Sequence, residues 1–116
     1  MIIMDEAKKK LIDEYIKELV AIYGNHLKKI ILYGSYARGD YRDDSDIDIM
    51  ILLNISDIEA KSYQESLSEI TFNYNFDFDM DINPIAHSEE VFNKWRNAYP
   101  FFKNIEKDGI TIYDAA

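Results

Sequence analysis

Two aspartates one residue apart, Asp46 and Asp48, open an apolar run that continues to Leu53. Side chains of a strand alternate between its faces, so the two carboxylates share one face, roughly 6–7 Å apart, with Met50, and three isoleucines face the other way. Paired like charges on an apolar strand are costly unless a cation neutralises them, and hard divalent cations prefer carboxylate oxygens. The pair therefore predicts a magnesium site.

A small-residue turn lies eleven residues before this pair and follows a second apolar run. Gly34 permits a close approach of backbone to a ligand, and Ser35 offers an N–H and a hydroxyl at the start of a short predicted helix. Arg38, one turn later, can reach the same anion. The turn therefore predicts a phosphate site beside the acids, but not a P-loop, because Asp40 and Tyr41 occupy the positions that need Lys and Ser or Thr.

The motif G-S-x-A-R-G at positions 34–39, followed by S-D-x-D at 45–48, resembles the minimal nucleotidyltransferases of the DNA polymerase β superfamily. The match is tight over residues 30–53 and elsewhere rests on the order of the elements. The resemblance implies an α/β fold, with an αβαβαβ core around the small mixed sheet of the nucleotidyltransferase palm, followed by C-terminal helices. It also implies two magnesium ions, held by the Asp-x-Asp pair and a third acid.

Three acids are candidates for that third ligand. Residues 76–83 alternate strictly between apolar and polar residues, which predicts a strand with Asp77, Asp79 and Asp81 on one face. One interpretation is an edge strand whose acidic face meets water and discourages pairing with other chains. The other is that one of these acids completes the metal site. We prefer Asp81, just before the strand is expected to end at Pro84; Asp79, then Asp77, stay open as alternatives.

Hydrophobic periodicity and capping residues predict the remaining elements. Helices are expected over residues 5–23, 35–38 and 56–72, with two more after Ser88 and Pro100. Strands are expected over residues 29–33, over the run that ends at Leu53, and over 110–113. The basic run at 8–10 is interpreted as a solvated helix face, His87 as a loop residue without a role, and the C-terminal aromatic residues chiefly as core.

Composition limits the class of protein. With 116 residues, the chain is expected to be one domain over 1–116, and its net charge of −9, from 13 basic and 22 acidic residues, opposes binding to nucleic acid. No apolar run approaches the roughly 18 residues of a membrane span, so no membrane association is expected. The chain has no cysteine, and Met1–Asp5 lacks the features of a signal peptide, so a cytoplasmic location is expected.

The resemblance implies transfer of a nucleoside monophosphate, AMP from ATP, to an acceptor hydroxyl. Asp46, Asp48 and Asp81, or Asp79 as the alternative, would hold the metal ions, while Gly34, Ser35 and Arg38 would bind the nucleotide. Some small members of the family act as antitoxins that add AMP to a tyrosine of a HEPN-domain toxin. A partner of that type, or a homo-oligomer, is therefore expected to complete the site. The alternative is a non-catalytic module that neutralises a partner by contact.

Overall fold

The computed structural model describes residues 5–115, so the signal-peptide expectation rests largely on residues 1–4, which lie outside the described part. Between residues 5 and 115, no helix has the length and apolar character needed to cross a bilayer. The elements, joined in places by single 3₁₀ turns, are α1 (Glu6–Tyr23), β1 (Leu27–Tyr33), α2 (Ser35–Arg38), β2 (Ile47–Leu53), α3 (Asp57–Ala60), α4 (Gln64–Phe78), β3 (Ile82–Ser88), α5 (Glu89–Trp95), α6 (Pro100–Asp108) and β4 (Ile110–Asp114).

The four strands form one mixed sheet in the order β3-β2-β1-β4. Strand β1 is antiparallel to both β2 and β4, whereas β2 and β3 run parallel. A parallel pair needs a crossover connection, and α3 and α4 supply it. This arrangement confirms the predicted mixed α/β fold.

Each face of the sheet carries its own hydrophobic cluster. Alternate residues of the central strands face α1 and α4 on one side, where buried side chains include Tyr15, Leu19, Ile30, Ile49, Ile51 and Leu67. The other side packs against α5 and α6 and includes Ile31, Met50, Leu52, Phe92, Phe102 and Ile105. Strand β2 is buried on both faces, so packing holds in place the residues at its ends, including Asp46 and Asp48.

Short polar side chains begin the helices where the sequence predicts them. Asp5, Ser56 and Ser88 each accept a hydrogen bond from the backbone N–H three residues on, at 2.8, 3.1 and 3.3 Å. Such caps satisfy donors that have no partner within the helix. The helix predicted over 56–72 is, however, interrupted by a 3₁₀ turn at Lys61–Tyr63 and therefore divides into α3 and α4.

The strand predicted over residues 76–83 is wrong for residues 76–81, and only Ile82 and Asn83 lie in a strand, at the start of β3. Helix α4 continues through Phe78, and Asp79 ends it in the left-handed conformation at φ +53°, which aspartate tolerates better than most residues. Tyr74 packs against both Phe78 and Tyr15 of α1, with ring centroids 5.5 and 5.4 Å apart. Residues 76–78 thus extend a helix whose preceding turn packs on α1, although their alternation alone suggested a strand.

Strand β3 also continues beyond Pro84, where the sequence predicts its end. Pro84 is opposite Ile49, and β3 is the edge of the sheet, where proline is tolerated because its missing N–H need not face a neighbour. His87 consequently lies in this strand and not in a loop. Its Nδ1 is 3.4 Å from Asp57 Oδ2, at the opposite end of β3 from the acid pair.

Candidate functional site

The acid pair stands at the start of β2. Asp46 immediately precedes the strand and is exposed, whereas Asp48 is its second residue and is half-buried. Met50 packs in the cluster with Phe102 and Ile105 of α6, and the carboxylates lie on that same side of the sheet. The two aspartates therefore face the space between the sheet and α6.

Gly34 brings its backbone directly against Asp48. A Cβ at position 34 would overlap the Asp48 carboxylate, and it would lie 3.3 Å from Asp48 Cγ. The glycine also has φ +74° and ψ −153°, a conformation that is essentially restricted to glycine. Space and backbone conformation both demand glycine here, so the turn and the acid pair form one structural unit.

Helix α2, which follows this turn, is anchored through Tyr36. The Tyr36 ring is buried and stacks on Tyr41, with centroids 4.2 Å apart and planes inclined by 12°. Lys8 Nζ donates a hydrogen bond to the Tyr36 hydroxyl at 2.9 Å. Lys8 therefore departs from the predicted solvated face and ties α1 to α2, which holds the Gly34 turn in place.

The acid pair and the Gly34 turn line a cavity of about 440 Å³. Strand β1, α2 and the start of β2 form one wall, with Tyr33, Gly34, Ser35, Arg38, Ser45, Asp46 and Asp48. Helix α6 forms the other, with Phe101, Asn104, Ile105 and Asp108. All the residues predicted to bind nucleotide, together with both members of the acid pair, thus lie around one cavity.

The surroundings of the Asp48 carboxyl in the cavity raise its pKa. Partial burial raises its pKa, as does the charge of Asp46, while a hydrogen bond from Asn83 Nδ2 to Asp48 Oδ1 at 3.2 Å and the Arg38 guanidinium act in the opposite direction. A raised carboxylate pKa means that negative charge is disfavoured at this position. A bound cation would reverse that preference, and the oxygen-only donors of the pair fit magnesium.

Arg38 provides positive charge at the same cavity. About half of its side chain is exposed, and its Nε lies 3.5 Å from Asp40 Oδ2. An exposed pair of this kind contributes little to stability and holds the guanidinium loosely. Arg38 is therefore available to an anionic ligand.

The three candidates for the third acid are placed differently. Asp81 lies just before β3, and its carbonyl oxygen accepts the N–H of Ile47 at 2.8 Å. Because Ile47 is opposite Ile82 in this parallel pair, Asp81 lies beside Asp46. Asp77 lies in α4 and Asp79 at its C-terminal cap, so neither lies on a strand beside the acid pair, as the prediction of a third metal ligand required. Within residues 5–115, no three acidic or histidine side chains converge as a ready-made metal site.

Comparison with known proteins identifies the family. The model of the family described as Polymerase beta, Nucleotidyltransferase matches residues 10–116. The chain belongs to this family. The family predicted from the two motifs is therefore confirmed, and the protein is a nucleotidyltransferase.

Two relatives from Methanocaldococcus jannaschii are similar over almost their whole length. "Putative protein adenylyltransferase MJ0604" is 38% identical over 106 residues, which are 91% of this chain and 98% of the relative. "Putative protein adenylyltransferase MJ0141" is 28% identical over 103 residues, 89% and 96% of the two chains. These relatives place the nucleotidyltransferase near proteins named as protein adenylyltransferases.

Two solved structures share the fold. The crystal structure described as "a putative nucleotidyltransferase from Sulfolobus solfataricus" superposes with a TM-score of 0.63 at 22% identity, covering 91% of this chain and 79% of the other. A chain of a toxin-antitoxin crystal structure with AMP-PNP gives a TM-score of 0.51 at 19% identity, covering 89% and 73%. At these identities, the likeness shows the fold alone.

Two parts of the nucleotidyltransferase's candidate site, Asn83 and the α6 wall, are not predicted from the sequence. Asn83, the donor to Asp48, follows Asp81 by two residues on one face of a strand, and this spacing could have singled it out. The α6 wall has the i, i+3, i+7 spacing of one helix face at Phe101, Asn104 and Asp108. That spacing identifies a face of the helix but not what it covers, which depends on the tertiary fold.

Proposed function

We propose that this nucleotidyltransferase transfers AMP from ATP to a hydroxyl group of a partner protein. One observation carries the proposal: the Gly34 turn lies directly against Asp48, at one cavity that Asp46 and Arg38 also line. The turn suits phosphates and the acid pair suits a divalent cation. Kinship with relatives named as protein adenylyltransferases supports a protein acceptor.

The triphosphate would bind at the turn. The first amide groups of a helix have no partner within it, and Ser35 begins α2 directly after the closely packed Gly34. The Ser35 hydroxyl adds a hydrogen-bond donor. The loosely held Arg38 guanidinium adds a positive charge that attracts the phosphate oxygens. These groups would orient the α-phosphate toward the carboxylates.

Asp46 and Asp48 would hold magnesium, with Asp81 as the additional ligand for a second ion. When bound, magnesium neutralises the phosphates and lowers the pKa of the attacking hydroxyl. The Asn83 amide, 3.2 Å from Asp48 Oδ1, fixes the orientation of that carboxylate. Partial burial of Asp48 strengthens its interaction with any cation, because fewer water molecules compete.

The reaction is an exchange of one phosphorus–oxygen bond for another. The acceptor oxygen forms a bond to the α-phosphorus, the bond between the α-phosphorus and the bridging oxygen breaks, and pyrophosphate leaves while the hydroxyl proton passes to water. The chain's residues position the reacting groups in line and stabilise the charge, and positioning of this kind supplies most of the catalysis in phosphoryl transfer.

The acceptor in this proposal is a tyrosine of a HEPN-domain toxin, which gives the chain an antitoxin role. The motif resemblance implies this acceptor, and the shared fold with a chain of a toxin-antitoxin structure is compatible with it. The net charge of −9 favours a protein partner over nucleic acid. Arg38 and Phe101 at the cavity are each about half exposed, so a tyrosine from another chain can approach.

Label transfer tests the proposal. The chain is incubated with ATP labelled at the α-phosphate, magnesium and the protein encoded by the neighbouring gene, and transfer to that protein is expected. Asp48→Asn should abolish transfer, since it removes one charged ligand of the proposed metal site. Asp13→Asn, an exposed aspartate of α1 outside the cavity, is the matched control and should transfer normally.

Two results would contradict the enzyme proposal. Transfer that survives Asp48→Asn would show that the acid pair is not responsible for it. Tight binding to the partner without any transfer of label by the wild-type chain would instead favour a non-catalytic module that neutralises its partner by contact.

A further inference from the structure

The α6 wall of the cavity has no role in the proposed binding of phosphate and metal. Helix α6 contributes Phe101, Asn104 and Asp108 to this wall, and Tyr33 of the facing wall contacts Phe101. The volume of about 440 Å³ falls within the range of about 300–1,000 Å³ that is typical of pockets for whole small molecules. The cavity therefore has room for more than a triphosphate.

Phe101 is not required by the hydrophobic core. Its neighbour Phe102 is 7% exposed and belongs to the buried cluster, whereas Phe101 remains 45% exposed and lines the cavity. Its ring meets Tyr33 edge to face, with centroids 5.9 Å apart and planes at 90°. This contact fixes the position of Phe101 while leaving much of its surface open to a ligand.

Charge gives the cavity a direction. Under the proposed function, a divalent cation would neutralise Asp46 and Asp48 on the α2 side, where the Arg38 guanidinium also lies. Asp108 on α6 carries a carboxylate, which repels phosphate and accepts hydrogen bonds from hydroxyl or amino groups. A nucleotide would therefore place its phosphates at the turn and its uncharged end near α6. Asn104, with both a donor and an acceptor, lines that same end.

We propose that Tyr33 and Phe101 form a nucleobase subsite, in which the base of the nucleoside triphosphate packs on Phe101. This inference rests on the proposed function, since it takes the triphosphate to lie at the Gly34 turn. Aromatic side chains bind bases by stacking whatever the base, because every base has a π-face. The subsite therefore supplies affinity for nucleotides over phosphate anions, and α6 is part of the substrate site.

Comparison of ATP with inorganic tripolyphosphate tests this subsite, because tripolyphosphate has the phosphates without the base. Binding of each to the full chain is measured by calorimetry in magnesium. Phe101→Ala should weaken ATP binding about tenfold, the range expected for loss of one stacking contact, and leave tripolyphosphate binding unchanged. Phe101→Trp should retain ATP affinity. Phe72→Ala, which removes a 65% exposed phenylalanine of α4 outside the cavity, should change neither.

The outcomes separate this inference from the proposed function. If the wild-type chain binds neither ligand, the phosphate site itself is wrong. If it binds both and Phe101→Ala changes ATP and tripolyphosphate by the same factor, or changes neither, the subsite is wrong and the phosphate site stands. Phe101→Leu preserves an apolar side chain without the aromatic face, so ATP binding at the wild-type level in this folded variant would also overturn the proposal.

Discussion

Replacement of Gly34 by alanine tests the contact on which the site depends. The new Cβ would overlap the Asp48 carboxylate, so the carboxylate must move away from its present position. Alanine is also strained at φ +74° and ψ −153°, at about 1–3 kcal/mol for a conformation of this kind. Both stability and activity are therefore expected to fall, for two separable reasons.

Gly24→Ala separates these reasons. Gly24 has a similar backbone conformation, φ +56° and ψ −130°, but a Cβ there would meet nothing within 4 Å. It therefore shares the backbone strain of Gly34→Ala without the collision. Both variants should lose about 1–3 kcal/mol in urea unfolding, or about 4–8 °C of melting temperature for each kcal/mol.

Only Gly34→Ala should lose AMP transfer. A displacement of about 1 Å in a catalytic group reduces the rate about 100-fold, so we expect a loss of that order in the label-transfer assay, with Gly24→Ala close to wild type. Wild-type activity in both variants would refute the inference that the glycine positions Asp48. Equal loss of activity would show that reduced stability, and not the displaced carboxylate, is the cause.

Two further predictions concern the third acid and the buried tyrosines. Asp81→Asn should reduce transfer about 100-fold or more, since it removes a charged ligand, while Asp79→Asn should have little effect; the reverse order would contradict the assignment of Asp81. Burial raises the pKa of Tyr15 and Tyr23 to about 12. Tyrosines of the unfolded chain ionise near pH 10, before those of the folded chain. The contribution of these tyrosines to stability should therefore be constant below about pH 10 and fall by about 1.4 kcal/mol per pH unit for each tyrosine up to about pH 12. Urea unfolding at pH 9 and 11 measures the loss, which should be smaller in Tyr23→Phe; an equal loss in that variant would exclude Tyr23 as a source.

The wall of the candidate site that carries the two sequence motifs is predictable from residue types and spacing alone. Gly34 and Asp48 belong to motifs whose spacing already indicates a turn and a strand, and the structure places them in contact. The alternation of residues 76–83 has a strand period, but residues 76–78 continue a helix that Tyr74 anchors on Tyr15, 59 residues away in the chain. Propensity and pattern are weak where such tertiary contacts decide the conformation.

The α6 wall was unpredictable for a related reason, because its place depends on the order of strands. Strand β4 pairs with β1, with Thr111 opposite Ile31, and this pairing returns the chain across the sheet directly after α6. Gly109 makes the return possible, since a Cβ there would collide with the Ile31 side chain and with the carbonyl oxygen of Ile105. The buried Ile105 and Phe102 then hold α6 on the sheet face that bears the acid pair. Strand β4 thus helps to hold α6, the second wall of the cavity, in place. A chain without β4 would retain the two motifs but lose the cavity between the motifs and α6.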